Sequence, residues 1–316
     1  MKEKSIAVLF PGQGSQFIGM GKEFLESDPD AEKLMDLADS ISSAPLRRFC
    51  LEGPMEELTK AVYLQPALTA VNLICWQAIE KAGVRPEYFA GHSLGEYSAL
   101  CASGVLNVDD TLKLVTERGR LSEREGQKNP GGMQAILGLP LGEVEEILAT
   151  FPESSKATIA NHNSEKQIVV SGYHETLTAL EGMVSEKGGK AITLNVSVAN
   201  HSPLVAGAIP DFEKIMAAIP FQTPETPVLF NVTAAEEDEP DAIRTIMSRQ
   251  IASRVRWFEI VNSLVNRGVT HFIEVGPKKV LSGLMKKIVP KSAGCRTYQV
   301  DSPESLARCL DGLNEN

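Results

Sequence analysis

Tyr88-Phe89-Ala90-Gly91-His92-Ser93-Leu94-Gly95 is the stretch on which the architecture turns. Its first four residues form a short run ending in glycine, which predicts a buried strand over Tyr88–Gly91. The pattern from Leu94 to Ala102 predicts a helix. Between them stands G-x-S-x-G, whose two glycines let a strand turn sharply into a helix. Such a turn lifts the Ser93 hydroxyl off the backbone and leaves it exposed. The helix N-terminus behind it offers unpaired N–H groups able to stabilise an oxyanion. A serine N-cap after a turn would satisfy the same spacing, but the strand–turn–helix context favours a nucleophile.

The same alternation extends in both directions. Ser5–Phe10 reads as a strand ended by Pro11-Gly12-Gln13-Gly14, and Gln65–Lys81 as a helix with Gly83 as its stop. Val108-Asp109-Asp110 opens another helix, with acid in its first turn, that runs to about Gly126. Strands alternating with helices imply a parallel sheet covered on both faces. After Asn129-Pro130-Gly131-Gly132 the rhythm changes. Met133–Leu139 reads as strand, Leu141–Thr150 as helix, Ala157–Ala160 and Ile168–Ser171 as strands, Glu175–Lys187 as helix and Lys190–Val196 as strand. That βαββαβ order is the ferredoxin-like pattern of an inserted subdomain. The chain then returns to buried strands at Val228–Val232 and His271–Val275, with helices near Ile243–Ala252, Phe258–Asn266 and Val280–Ile288. The expected division is 1–127 with 197–316 for the large subdomain and 128–196 for the small one.

The 316 residues carry 31 Lys+Arg against 41 Asp+Glu, a net charge of −10 that argues against general nucleic-acid binding. With 43% apolar and 23% charged residues the composition is that of a globular domain, which excludes disordered and collagen-like chains. Pro66–Ile79, the longest apolar run, falls short of the roughly 18 residues a membrane span needs. Met-Lys-Glu-Lys-Ser leads straight into a strand-like run and does not read as a signal peptide, so a cytoplasmic protein is expected. Five widely spaced cysteines without a Cys-x-x-Cys pair predict reduced, mostly buried thiols and no zinc site.

A serine nucleophile needs a base, usually histidine. His92 adjoins Ser93, and neighbouring side chains at a sharp turn point apart. His162, His174 and His271 have no distinctive surroundings. His201, in Val198-Ala199-Asn200-His201-Ser202-Pro203, sits in a loop after the last strand of the small subdomain, from where it could reach back across a cleft. A hydrogen-bonded structural histidine fits that position equally, and spacing alone leaves both open.

Phe10-Pro11-Gly12-Gln13-Gly14-Ser15-Gln16, Gly91-His92-Ser93-Leu94-Gly95-Glu96-Tyr97-Ser98-Ala99-Leu100 and Glu274-Val275-Gly276-Pro277 together resemble malonyl-CoA:acyl carrier protein transacylases. These enzymes load the extender unit in fatty-acid synthesis and are similar to the acyltransferase domains of polyketide synthases. The resemblance runs from about Ile6 to Val289, and several separate motifs occur in order. It implies an α/β-hydrolase-like core with a ferredoxin-like insertion, no metal or redox cofactor, and malonyl-CoA and holo acyl carrier protein as partners.

Residue by residue, the resemblance implies Ser93 as nucleophile and His201 as base, oriented by a backbone carbonyl at Gln250. The N–H groups of Gln13 and Leu94 would form the oxyanion hole. Arg118, in Val115-Thr116-Glu117-Arg118-Gly119-Arg120, matches the arginine that takes the free carboxylate of malonate, as a guanidinium fork suits a carboxylate. An ordinary solvated helix arginine is the alternative there, and Arg120 is such a candidate. Asn161 and Asn163 match a polar loop lining the cleft, where a loop-capping role would also serve. Lys278 stands where the family usually has glycine, which predicts a changed turn and an added surface charge. Val198-Ala199-Asn200 matches neither of the sequences associated with strict malonyl or methylmalonyl choice in polyketide relatives. Lys278, Lys279, Lys286, Lys287 and Lys291 cluster around one C-terminal helix and are candidates to meet an acidic carrier protein; a solvated helix face is the plain alternative. Competing readings are a polyketide or malonate-decarboxylase transacylase, a serine hydrolase with a Ser…Asp…His order, and a non-catalytic docking protein.

Overall fold

The computed structural model describes residues 4–196 and 198–315. The N-terminal run before Lys4 and the subdomain boundary expected at residue 197 lie outside them. β1 (Ile6–Phe10) and β2 (Tyr88–Gly91) are the first two strands. β3 (Gly132–Leu137), β4 (Thr158–Ser164), β5 (Gln167–Gly172) and β6 (Lys190–Thr193) follow in the middle of the chain. β7 (Val228–Leu229), β8 (His271–Val275) and β9 (Arg296–Val300) complete the set.

Five strands form a parallel sheet in the order β7-β2-β1-β8-β9. Both faces of its central strand are buried: Val8 and Phe10 enter one apolar core, Ala7 and Leu9 the other. That is why the strand is an unbroken apolar run and legible as such. The helix Ala61–Lys81 packs on the Val108–Lys128 helix beside the first core. It extends further than the Pro66–Ile79 run and is long and apolar enough to cross a membrane, but 78% of its apolar window is buried inside the protein.

The other four strands form a wholly antiparallel sheet, β4-β5-β3-β6. Helices Leu141–Leu148 and His174–Glu186 cover one face, burying Ile136, Ile168 and Val170 with Val144, Leu177 and Leu180. The opposite face carries Met133 and Val169 toward the parallel sheet. β4 is tied across the gap, where His162 N–H donates to Val255 O (2.9 Å) and Val255 N–H to Ala160 O (2.8 Å).

Three expectations change. β4 continues to Ser164, so Asn161 and Asn163 stand on a strand and not in a loop. Its polar cleft-facing residues hid it. The last strand of the small sheet stops at Thr193, and the expected Val228–Val232 strand is only Val228–Leu229, because the chain turns at Phe230 toward the nucleophile.

Candidate active site

The turn after β2 is forced by close packing. A Cβ on Gly91 would lie 2.1 Å from the Gly95 carbonyl, and one on Gly95 would lie 2.1 Å from Phe10 O at the end of β1. Only glycine lets the two strand ends and the helix Gly95–Ala102 approach so closely. Ser93 takes the cost, with φ +52° in the left-handed region, about 1–2 kcal/mol for a residue with a Cβ. Two amides hold it there. Ser93 N–H donates to Asn231 Oδ1 (2.7 Å), and Gln250 Nε2 donates to Ser93 O (2.7 Å).

The strain aims the hydroxyl. Ser93 Oγ lies 2.6 Å from His201 Nε2. His201, also left-handed at φ +58°, is pinned by its own N–H to Ile251 O (2.9 Å). Its Nδ1 faces two carbonyls, Gln250 O at 3.0 Å and Ser253 O at 2.9 Å. Carbonyls only accept, so Nδ1 carries the hydrogen and Nε2 is left to accept from Ser93. Burial, with the Arg118 charge second, pushes the imidazole down to about 3, which keeps it neutral at neutral pH with Nε2 free to accept. His92 points elsewhere, placing Nε2 2.8 Å from Asn163 Oδ1 and its ring edge-on to Trp257.

Arg118 is fully buried while Arg120 is exposed and paired with Glu117, which separates the two candidates left by the sequence. The Arg118 guanidinium has no carboxylate in ion-pair range among the described residues. Nη1 donates to Gln65 Oε1 (2.9 Å), Nη2 to Gln250 Oε1 (3.1 Å), and Nη2 stands 3.5 Å from Ser93 Oγ. Nε has no partner, and the Tyr97 ring packs 5.6 Å from Arg118 Cζ. A buried cation without a counter-ion is costly unless an anion arrives to meet it.

Gln13 reaches the elbow from the loop after β1. A Cβ on Gly12 would come within 2.4 Å of His92 O and 3.5 Å of Leu94 N, so this loop lies directly on the turn. Neither Gln13 N–H nor Leu94 N–H is engaged in a hydrogen bond among the described residues. Asn161 and Asn163 line the same cavity as Ser93 and His201, below Met133 and Val169 of the small sheet. All five lysines are exposed. Lys278, left-handed at φ +64° as its glycine-like position demands, donates to Gly14 O (3.3 Å). Lys287 donates to Gln167 Oε1 (2.8 Å) on the cavity rim.

Sequence reasoning missed Asn231, Ser253, Gln65 and Glu96. Asn231, Ser253 and Gln65 are brought to the site by tertiary folding, Asn231 from 138 residues away, and none of these three carries a local motif. Glu96 alone stood inside a quoted motif.

Residues 8–300 match the model of the acyl transferase domain family. The malonyl CoA-acyl carrier protein transacylase of Bacillus subtilis (strain 168) is 38% identical over 312 residues, 98% of each chain. The solved malonyl-CoA:acyl carrier protein transacylase from Xanthomonas oryzae superposes with a TM-score of 0.93 at 36% identity, covering 99% of both chains. A malonyl-transacylase solved in complex with its type II PKS acyl-carrier protein superposes at 0.93 and 32% identity, covering 98% of this chain and 100% of that one. The chain therefore belongs to the malonyl CoA-acyl carrier protein transacylase family of acyl transferases.

Proposed function

We propose that this acyltransferase moves the malonyl group from malonyl-CoA to the phosphopantetheine thiol of an acyl carrier protein, supplying extender units for fatty-acid synthesis. The observation that carries the reading is Arg118, a buried guanidinium without a counter-ion, 3.5 Å from the hydroxyl of a serine that is hydrogen-bonded to histidine. Malonyl-CoA brings a thioester for the serine and a free carboxylate for the guanidinium.

In this reading Ser93 Oγ attacks the thioester carbonyl as His201 Nε2 takes its proton. The tetrahedral oxyanion rests on the N–H groups of Gln13 and Leu94, the C–S bond breaks, and His201 returns the proton to the CoA sulfur. The carrier thiol then gives its proton to His201 and attacks the acyl-serine, and Ser93 recovers its hydrogen as the new thioester leaves. Gln250 and Ser253 carbonyls hold the histidine tautomer in place of an aspartate, which stabilises the imidazolium less strongly than a charge would. The absence of a carboxylate at Nδ1 among the described residues disfavours the Ser…Asp…His hydrolase reading. Asn161 and Asn163 line the path by which the acyl donor reaches Ser93. Acyl transfer by this route consumes no redox equivalent, so the reading calls for no metal or cofactor.

The strand order β4-β5-β3-β6 with two crossover helices on one face supports a ferredoxin-like small subdomain over 128–196. The parallel sheet with a G-x-S-x-G elbow supports an α/β-hydrolase-like large one, 1–127 with 197–316. Five unpaired cysteines fit a reducing cytoplasm. Lys278, Lys279, Lys286, Lys287 and Lys291 would receive the carrier protein.

Intact-protein mass after brief mixing with malonyl-, acetyl- or methylmalonyl-CoA tests the reading. The expected result is a malonyl adduct that vanishes with Ser93→Ala and is discharged by holo carrier protein. Arg118→Ala should slow malonyl loading by roughly a few hundredfold or more, as breaking a buried pair costs about 3–5 kcal/mol. An adduct from acetyl-CoA alone, or turnover by Ser93→Ala, would overturn it.

A further inference from the structure

Glu96 lies behind the nucleophile in the first turn of the Gly95–Ala102 helix, with no solvent exposure. Its Oε1 accepts from Asn231 N–H (2.6 Å) and its Oε2 from Gln250 Nε2 (2.7 Å). The side-chain amides of those two residues are the ones that hold the site. Asn231 Oδ1 takes Ser93 N–H, and Asn231 Nδ2 donates to Gly91 O (2.7 Å). Gln250 Nε2 donates to Ser93 O, its Oε1 accepts from Arg118, and its backbone carbonyl accepts from His201.

An amide side chain can sit either way round, and here its orientation matters. As found, the Gln250 nitrogen faces two acceptors and its oxygen faces the guanidinium. Turned over, the oxygen would oppose the Ser93 carbonyl and the Glu96 carboxylate, while the NH2 would oppose Arg118. All three contacts would become repulsive. A carboxylate is the group that resists this turn most strongly, because it can only accept. Glu96 stands behind Gln250 and makes no ion pair with Arg118 among the described residues. A direct pair would occupy the fork that an incoming carboxylate needs; an intervening amide leaves it free.

We propose that Glu96 is a positioning residue for acid-bearing acyl groups: through the Gln250 amide it fixes Arg118 open beside Ser93, and through Asn231 it fixes the nucleophile turn. The proposal rests on the malonyl-transfer reading, which the wild-type protein tests alone by its preference for malonyl- over acetyl-CoA.

The experiment measures loading of Ser93 from malonyl-CoA and from acetyl-CoA, for the wild type, Glu96→Gln, Gln250→Met and the double variant. Glu96→Gln keeps the shape, but any orientation of the new amide sets one donor against another donor. Gln250→Met keeps the backbone carbonyl for His201 and removes the relay together with the bond to Ser93 O, whose loss falls on both acyl donors alike and leaves their ratio to report the relay. Each single variant should lower kcat/KM for malonyl-CoA relative to acetyl-CoA by about tenfold or more, the scale of a hydrogen bond to a charged group. The double variant should lose no more than the worse single, since both act on one chain of contacts. An equal loss with both acyl donors, an unchanged ratio or an additive double variant would overturn the proposal. If Glu96→Gln yields no folded protein, Gln250→Met decides: a lowered ratio supports the relay and an unchanged one ends it.

Discussion

At the residue scale, the site is organised around which groups stay uncharged. His201 is held neutral by burial and by the Arg118 charge, so a carboxylate arriving at Arg118 would remove the second cause and make the imidazole a better base once substrate is bound. The same shift has a consequence for stability. His201 titrates at about 3 in the folded protein against an ordinary 6.5, so between those values the unfolded chain binds a proton that the native site refuses. Stability must therefore fall as pH falls from 6.5 toward 3. Burial pushes Glu96 upward, and the Asn231 and Gln250 donors with the Arg118 charge oppose that push; because both of its oxygens face donors, the pocket as folded suits the carboxylate. Urea midpoints from pH 4 to 8 should show the wild type declining below pH 6.5 more steeply than His201→Gln, and parallel curves would rule the effect out. Ser93 could be picked out from the sequence because it sits in a spaced motif, and Arg118 only through the family resemblance, since its helix alone left Arg120 open. Asn231 and Ser253 could not, because what they contribute is a hydrogen bond made only after distant segments meet.

At the scale of elements, legibility followed burial. Ile6–Phe10, Tyr88–Gly91 and His271–Val275 are covered on both faces and read directly as strands. Arg296–Val300 is an edge strand with polar Arg296 and Gln299, and nothing in its pattern marks it. Of the helices between Lys22 and Thr59, three are too short to show a period, whereas Pro29–Ser42 buries Ala31, Leu34, Met35 and Ala38 at helical spacing and went unread. The elbow was legible through its glycines, and these permit a sharp contrast. In helices alanine ordinarily outranks glycine, so Gly182→Ala, exposed in mid-helix with nothing within 4 Å of its new Cβ, should stabilise by about 0.5–1 kcal/mol. Gly95→Ala also sits in a helix, yet its Cβ would stand 2.1 Å from Phe10 O and 2.9 Å from Pro11 O. Backbone cannot swing aside as a side chain does. This variant should lose about 1–3 kcal/mol in thermal or urea unfolding, and loading of Ser93 should fall with it as Leu94 N–H shifts. Equal effects at the two glycines would mean that the close approach of β1 to the helix does not set the turn.

For the whole molecule, the problem is charge. The chain carries −10 overall, and carrier proteins are generally acidic, so approach is opposed unless a local surface reverses the sign. The change of rhythm at Asn129–Gly132 marks where the chain leaves the parallel sheet for the antiparallel one, and the lysines were readable as a cluster. Their relation to the cavity was not, since it depends on how β5 and the loop after β1 pack around the Val280–Ile288 helix. Lys287 is bonded to Gln167 on the cavity rim, Lys278 reaches over Gly14 beside the oxyanion loop, and none of the five lysines is in an ion pair among the described residues. Unpaired cations on this side of an acidic protein would steer an acidic partner, acting mainly on encounter and with strong salt dependence. Reversing two of them, Lys286→Glu with Lys287→Glu, should raise the apparent KM for holo carrier protein roughly threefold to tenfold at low salt, the scale of exposed charge pairs. As salt is added, the wild-type KM should climb while that of the variant changes little, so that the two converge. An unchanged KM for the carrier protein at low salt would show that the lysines are a solvated helix face and that docking lies elsewhere on the rim.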